Sequence, residues 1–502
     1  MEKYEYAEWV CTADLAAYSG LPRSLKGATT TLYNLEVDKS TRDNMSGKRW
    51  EDMTKEFQDE VDEYALKDSE LCLKLWQDLE GDWPQMERDI SLMNRRCVQR
   101  GIPINTNLLK KSLVTINERL FEAENSIPWI DDRPILSRQA FNDECKKEGL
   151  EPPASLALTD EDANKWIKEN EGKYKWISAV RDYRRINSLK RKLEAFEYAT
   201  MGDKRYYGGI LYHGAHTGRF SGSGGNLNLQ NLPRGEMFGV NLRSLISPKK
   251  GRKLVVVDLS QIEVRTLCWL AEDQDSLDEI KASDDIYEAF AIRFDKWDKS
   301  KGVLKDEDPS LRHLVKTMVL GCGYSVSAGK FALISGMDED EAVKAVKLYR
   351  TKMKRVVALW NKLQRKLHVA YSLGDDFSID LPSGRSLDYG KIQTAMQFGR
   401  RNYIALIAKG AKKIPVKLYG GLLTENASQA LARDIFSDIL TRLENRGMEI
   451  IFHVHDEVVI EVDEKDAEET LDLVIEEMRT PPEWLPDIPL DAEGKVLDKY
   501  EK

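Results

Sequence analysis

The chain has 502 residues, 41% hydrophobic and 32% charged, with a net charge of −10. This apolar content supports several domains, or one large domain with subdomains, and the acidic total turns the search for polyanion contacts toward local basic stretches. No stretch approaches the ~18 apolar residues of a membrane span, "MEKYEYAEWV" lacks a signal-peptide pattern, and six scattered cysteines without C-x-x-C fit reduced thiols, not a disulfide framework or zinc site. A cytoplasmic protein with no membrane partner is expected.

In chain order, residues 60–78, "EVDEYALKDSELCLKLWQD", have the spacing of an amphipathic helix. Residues 87–121 read as helical, interrupted at "RGIPIN" by Gly and Pro. The region 137–200 is expected to be largely helical, with a break near "EPPASLALTDED". Within it, "RDYRRINSLKRK" (181–192) carries six bases against one acid. Arg181, Arg184, Arg185, Ser188 and Lys192 fall on one side at helical spacing. That side is either a solvated charged face or one that lies along phosphates. "HTGRFSGSGGNLNLQNLPRG" (216–235) is expected to be a functional loop. "KLVVVDLS" (253–260) predicts a short buried strand, and helices follow from about 260 to 373. "FSIDLPSGRSLDYG" (377–390) predicts a β-hairpin, and 423–447 a helix ending at Gly447. "IIFHVHDEVVIEV" (450–462) predicts a second hairpin, with a tight turn at His455–Asp456 that sets Asp456 at an exposed tip.

Three elements carry chemistry. Asp258 ends an apolar strand, where loops converge and metal-binding carboxylates are common. Ser260 and Glu263 match the S-x-x-E capping box, which gives Glu263 a structural reading. Arg312, Lys316, Leu320 and Tyr324 recur every four residues along one helical face. Two cations followed by apolar and aromatic groups suit a nucleoside triphosphate; a mixed surface face is the plain alternative. Asp456 with His455 and Glu457 is the third element, and a polar turn is its plain alternative.

In this order the three motifs resemble those of family A DNA polymerases, the bacterial polymerase I type. "TGRFS" (217–221), "NLQNLPRG" (228–235), "DIYEAF" (285–290), "LPSGRSLDYG" (381–390) and "LTENASQALARD" (423–434) support the resemblance, which covers roughly 90–502. It implies an α/β (α+β) right-hand fold with an antiparallel palm sheet. The thumb would be 88–205, the palm 206–264 and 418–502, the helical fingers 265–417. The reaction implied is template-directed addition of dNTPs to a primer 3′-hydroxyl, with pyrophosphate released. Asp258 and Asp456 would hold two Mg²⁺ ions roughly 3.5–4 Å apart, with Mn²⁺ as a substitute, and Glu457 would support them. Arg312 and Lys316 would hold the triphosphate, Lys316 also protonating pyrophosphate. Leu320, Tyr324, Gln261 and Tyr287 would complete the dNTP site, and Gly321 would allow close approach near Tyr324. Glu263 would sit under the sugar as a steric gate. Arg219, Gln230, Asn231, Gln429 and His455 would contact primer–template DNA, and Arg184, Arg185 and Lys192 the duplex backbone.

Leu320 stands where many members have Phe or Tyr, which resembles a viral and bacteriophage replicative subset. Tyr287 replaces a frequent His, and Ser325 a frequent Gly. Residues 1–87, with "VCTADLAAYSGLPRSL" (10–25), Tyr64 and Asp68, resemble the C-terminal part of the family's 3′–5′ exonuclease. Without its other carboxylates, no proofreading is expected from this chain. A separate exonuclease and helicase–primase are expected replisome partners. The rival readings are a single-subunit RNA polymerase, which Glu263 and the H-D-E turn oppose, and an inactive DNA-binding protein, which intact Asp258, Asp456, Arg312 and Lys316 oppose.

Overall fold

The structure, a computed structural model, describes residues 9–35, 37–157, 160–200, 202–222, 227–397, 399–409 and 412–501. Residues 1–8 of the N-terminal reading and 223–226 of the Gly/Ser/Asn-rich loop lie outside the described residues.

After helix α1 (Thr12–Tyr18) and two short helices (Leu25–Tyr33 and Ser40–Met45) comes α2 (Lys55–Leu79), which contains the predicted 60–78 helix. Thr54 starts α2, its hydroxyl accepting a hydrogen bond from the Phe57 N–H. Helices α3 (Gln85–Arg100) and α4 (Thr106–Asn125) part at Gly101, whose φ of 66° ends α3 where the sequence predicted a break. The long basic helix α5 (Lys175–Ala199) packs along α4. Strands β1 (Ile210–Leu211) and β2 (Ser221–Gly222) then pair antiparallel and bracket "YHGAHTGRF".

Strand β3 (Arg252–Leu259) leads into α6 (Ile262–Leu270). The helical stretch continues through α7 (Ile286–Arg293), α8 (Pro309–Cys322) and α9 (Lys354–Leu373). The predicted hairpin is β4 (Asp376–Asp380) with β5 (Ser386–Lys391). The strands β6 (Gln393–Gln397), β7 (Arg400–Lys409) and β8 (Lys412–Leu418) form a three-stranded antiparallel sheet. The sequence places helices to about 373 and a hairpin at 377–390 but no strand over 393–418, so the description of 265–417 as helical fingers does not hold there. Tyr403, Ala405 and Ile407 alternate inward along β7, a period of two that no helix satisfies. Helix α10 (Gly420–Asn445) follows, then β9 (Ile450–Val454), β10 (Glu457–Asp463), α11 (Ala467–Arg479) and β11 (Ala492–Leu497).

A four-stranded antiparallel sheet in the order β9–β10–β3–β11 lies at the centre. Leu254 to Val257 of β3 are fully or almost fully buried. The run is continuous rather than alternating because both faces are covered: α11 packs on β3, and α3 on β9. This core extends through α10 and to α3, α4 and α5. A second core joins α6 to α9 with the hairpin and the β6–β8 sheet. A smaller one gathers Trp129, Phe141 and Trp176.

Candidate active site

The site forms where β3 ends beside the β9–β10 turn. Antiparallel register sets Val458 opposite Val257 and Glu457 opposite Asp258. The Leu259 N–H donates to the Asp456 carbonyl at 3.1 Å, which ties the turn to β3. The predicted two-residue turn is present, with His455 at φ 57°, a backbone conformation that His tolerates better than most residues.

Asp456 is half-buried, not at an exposed tip, because the turn folds against the end of β3. Loss of water, and then the nearby Asp258 charge, push its carboxyl up to about 7. With Arg219, Phe220, Gln230, Arg433 and His455 it lines one pocket. Glu457 is buried, 4% exposed, and its carboxylate accepts a hydrogen bond from the Tyr500 hydroxyl at 2.5 Å. The two adjacent acids thus have different surroundings.

The capping box does not form. Gln261, not Ser260, precedes the first helical residue, and its left-handed backbone (φ 48°) leaves α6 without a side-chain cap. Ser260 is fixed by its backbone instead: its N–H donates to the Asp491 carbonyl at 2.8 Å, and its carbonyl accepts from Arg265 Nε at 2.8 Å. Glu263 ion-pairs with Arg219. Gln261 and Glu263, close to Asp258 in sequence, are both half-buried.

Helix α8 begins well capped: Asp308 accepts from the Leu311 N–H at 2.9 Å, and Pro309 occupies the first turn. Val315, Met318, Val319 and Cys322 turn inward. Arg312, Lys316 and Leu320 lie on the other face, with Lys316 and Leu320 exposed. Arg312 is held by Asp285 through Nε at 2.6 Å and Nη2 at 3.2 Å. Its guanidinium lies 5.1 Å from the Tyr287 ring centre, and Lys316 Nζ 5.7 Å from the same ring. Tyr287 is buried, so its ring supports both cations from beneath. Tyr324 is not on the helical face, since α8 ends at Cys322. Its hydroxyl lies 3.4 Å from Ser428 Oγ, which in turn donates to the Glu263 carbonyl at 3.1 Å. A Cβ on Gly321 would meet only the Phe331 ring, at 3.5 Å, so internal packing does not demand that glycine. It does demand Gly421, whose Cβ would lie 2.4 Å from the Tyr324 carbonyl oxygen. Sequence reasoning missed this contact; the signal available was the Gly-Gly pair at 420–421.

Gln230 is buried in the pocket, and no partner is seen for its Nε2 among the described residues. Asn231 is exposed next to it. Gln429, half-buried on α10, reaches Glu425 Oε1 at 3.3 Å. The basic face of α5 is less uniform than expected. Arg184 is exposed and Lys192 half-buried. Arg181 is bonded to Asn164, and Arg185 stacks 5.0 Å from the Phe238 ring centre, near Asp182. Also unforeseen is a buried charge cluster behind the pocket. Arg433 of α10 pairs with Glu87 of α3 and with Asp434, and Asp434 pairs with Arg385 at 2.9 Å.

A family model described as DNA polymerase family A matches residues 138–373. A DNA polymerase of Bacillus phage SP02 is 27% identical, with 99% of this chain aligned to 86% of that protein. The thermostable DNA polymerase I of Thermus filiformis is 25% identical over 88% of this chain; the chain spans about half of that protein, 51%. Among solved structures, the POL domain of Pol1 from M. smegmatis, in complex with DNA primer-template and dNTP, superposes with a TM-score of 0.70 at 20% identity. It covers 97% of this chain and 81% of that one, so the two share a fold. Motif order, fold and relatives point the same way: over residues 138–373 the chain is similar to DNA polymerase family A.

Proposed function

We propose that this chain adds dNTPs to a primer 3′-hydroxyl under the direction of a template, at the junction of β3 with the β9–β10 turn, and releases pyrophosphate. The observation that carries the reading is the proximity of Asp258 and Asp456. Two half-buried carboxylates repel, and a divalent cation between them relieves that repulsion. Among the described residues no group of three or more His, Cys, Asp or Glu could hold a metal. Mg²⁺ takes one or two protein carboxylates and completes its shell with phosphate and water, so this donor pair fits it, and Mn²⁺ as its substitute. When bound, two such ions supply a lowered pKa for the primer hydroxyl and charge neutralisation on the triphosphate.

The chain's own groups position the reactants. Arg312 presents a planar fork to the triphosphate once it exchanges Asp285 for phosphate oxygens. Lys316, exposed one turn along, meets the same phosphates and gives a proton to departing pyrophosphate. Leu320, Tyr324, Tyr287 and Gln261 shape the space for base and sugar. Glu263 stands where a ribose 2′-hydroxyl would enter. Arg219, Gln230, Asn231, Gln429 and His455 face the primer–template, and Glu457 braces the turn. In this reading 88–205 is the thumb, 206–264 and 418–502 the palm, 265–417 the fingers, and 1–87 a remnant of an exonuclease domain. The setting is DNA replication in a bacterial or phage-infected cytoplasm, beside helicase–primase and a separate exonuclease.

Primer extension with Mg²⁺ tests the proposal, comparing dNTPs with NTPs, DNA with RNA templates, and matched with mismatched 3′ ends. Extension with dNTPs on DNA and no excision of the mismatch are expected. Preference for NTPs would identify an RNA polymerase, and DNA binding without incorporation an inactive relative.

A further inference from the structure

The chain is acidic overall, yet residues 389–424 contain seven lysines and arginines and no aspartate or glutamate. Most of this stretch is the unforeseen β6–β8 sheet, Gln393–Leu418. Its register sorts the residues by face. Tyr403, Ala405, Ile407, Val416 and Leu418 turn toward the second core. Lys413, Pro415 and Lys417 of β8 and Leu406 of β7 share the opposite face, and all four are exposed.

Lys413 and Leu406 of this face, with Ala408, form one wall of an open groove, and Lys417 continues the face outside the lining. Across from it lie Tyr18 and Arg23 of the N-terminal segment, His213 and His216 of the β1–β2 connection, and Tyr389 of β5. The aromatic groups come in two edge-to-face pairs, Tyr18 with His213 at 5.7 Å and His216 with Tyr389 at 4.6 Å. Among the described residues no partner is seen for His216 Nε2. Arg23 is tied to Asp14 and to the Tyr212 carbonyl, so the available cation of the groove lining is Lys413, at the edge of the lysine face. Asp388 is the one carboxylate among the described lining residues. The open space is about 340 Å³, the scale of a pocket for one small ligand. It admits an unstacked base with its sugar, not a base-paired helix. Arg219, in the candidate active site, is three residues beyond His216.

We propose that this groove, with the lysine face of β6–β8, binds a single strand of nucleic acid adjoining the primer–template. Lys413 and Lys417 meet its phosphates, and the Tyr–His pairs take its bases. Basic surface beside aromatic rings is the chemistry that holds single strands without reading sequence. The inference rests on the polymerase reading for its substrate, but its test does not require catalysis.

The test is fluorescence anisotropy with a labelled single-stranded oligonucleotide and a blunt duplex, across a salt series. The protein carries Asp258→Asn, so binding is read whether or not the chain polymerises. A failed primer extension with intact groove binding would remove the catalytic reading alone. K413E/K417E should weaken single-strand binding about tenfold or more and lower the salt slope by about 1.4, two phosphate contacts at ~0.7 each. K413Q/K417Q should lower the slope equally with a smaller loss of affinity. Both pairs are exposed, and an unchanged melting temperature establishes that the variants fold. Tyr18→Ala should weaken single-strand binding about tenfold with no change in slope. Unchanged single-strand affinity and slope in both lysine variants overturns the proposal. So does an equal loss for the blunt duplex, which would make the sheet a general phosphate-binding surface.

Discussion

Glu457 and Asp258 face each other across β10 and β3, yet the Glu457 carboxylate is held by the Tyr500 hydroxyl at 2.5 Å. The acid whose ionisation is opposed here is instead Asp456, whose carboxyl is pushed upward by burial and then by the Asp258 charge. Asp258→Asn or Asp456→Asn should therefore slow single-turnover incorporation by ~10³-fold or more, about 4 kcal/mol of transition-state stabilisation. Glu457→Gln can still accept from Tyr500 and should cost about tenfold or less. Equal losses at 456 and 457 would contradict this division.

The elevated Asp456 carboxyl predicts a pH dependence. Its titration at about 7 means that protons compete with metal below neutrality. Between pH 8 and pH 6 the apparent Mg²⁺ affinity should fall roughly tenfold. The stability effect has the opposite sense. A carboxyl raised in the folded state binds more protons than the unfolded chain, so its contribution is full at low pH and lost as pH rises from about 4 to about 7. Asp456→Asn should consequently raise the metal-free melting temperature at pH 8, and Mg²⁺ should stabilise the wild type more than the variant. Calorimetry with and without the ion checks both.

Glu263 is paired with Arg219, not committed to a cap. Glu263→Ala should leave α6 intact while opening space beside the sugar. The ratio of kcat/KM for NTPs to that for dNTPs should rise by at least tenfold, about 1.4 kcal/mol. An unchanged ratio would dismiss the gating role.

Asp285 holds Arg312 in the same fork geometry that a phosphate would use. Asp285→Asn keeps an oxygen for its cap on the Tyr287 N–H but weakens its hold on Arg312. The KM for dNTP should fall severalfold. Arg312→Ala should raise it tenfold or more. A matching rise in both variants would mean that Asp285 orients Arg312 instead of competing for it.

Arg433 and Glu87 are each about 1% exposed and join α10 to α3 across the core. The Arg433 charge outweighs burial and holds the Glu87 carboxyl at about 2. This stabilisation is present above about pH 4.5 and lost as pH falls toward 2. Glu87→Gln leaves a buried guanidinium short of its charge partner and should cost about 3–5 kcal/mol, read by denaturant unfolding. Replacing both residues with apolar ones of similar volume should recover much of that loss.

Much of this site is legible in sequence because its local patterns each report one backbone state. A run of valines ending in Asp258 gives a strand end, H-D between apolar runs gives a turn, and Pro309 after Asp308 gives a capped helix. Linear spacing also separates the inward face of α8 from Arg312 and Lys316. What spacing cannot supply is the neighbour across a gap in the chain. Burial of Asp456, capture of Glu457 by Tyr500, the diversion of Glu263 to Arg219 and the clearance at Gly421 each depend on segments 40 or more residues apart. The β6–β8 sheet follows the same rule: its alternation was written in the sequence, but which face met the core and which met solvent was decided only by packing. The sequence by itself determined the motif order, the family resemblance and the chemistry of the candidate groups, because those depend on residue type and local geometry. Tertiary structure alone decided which charges are shared, sheltered or free, because electrostatic partners are set by distance in space and by the water that folding removes.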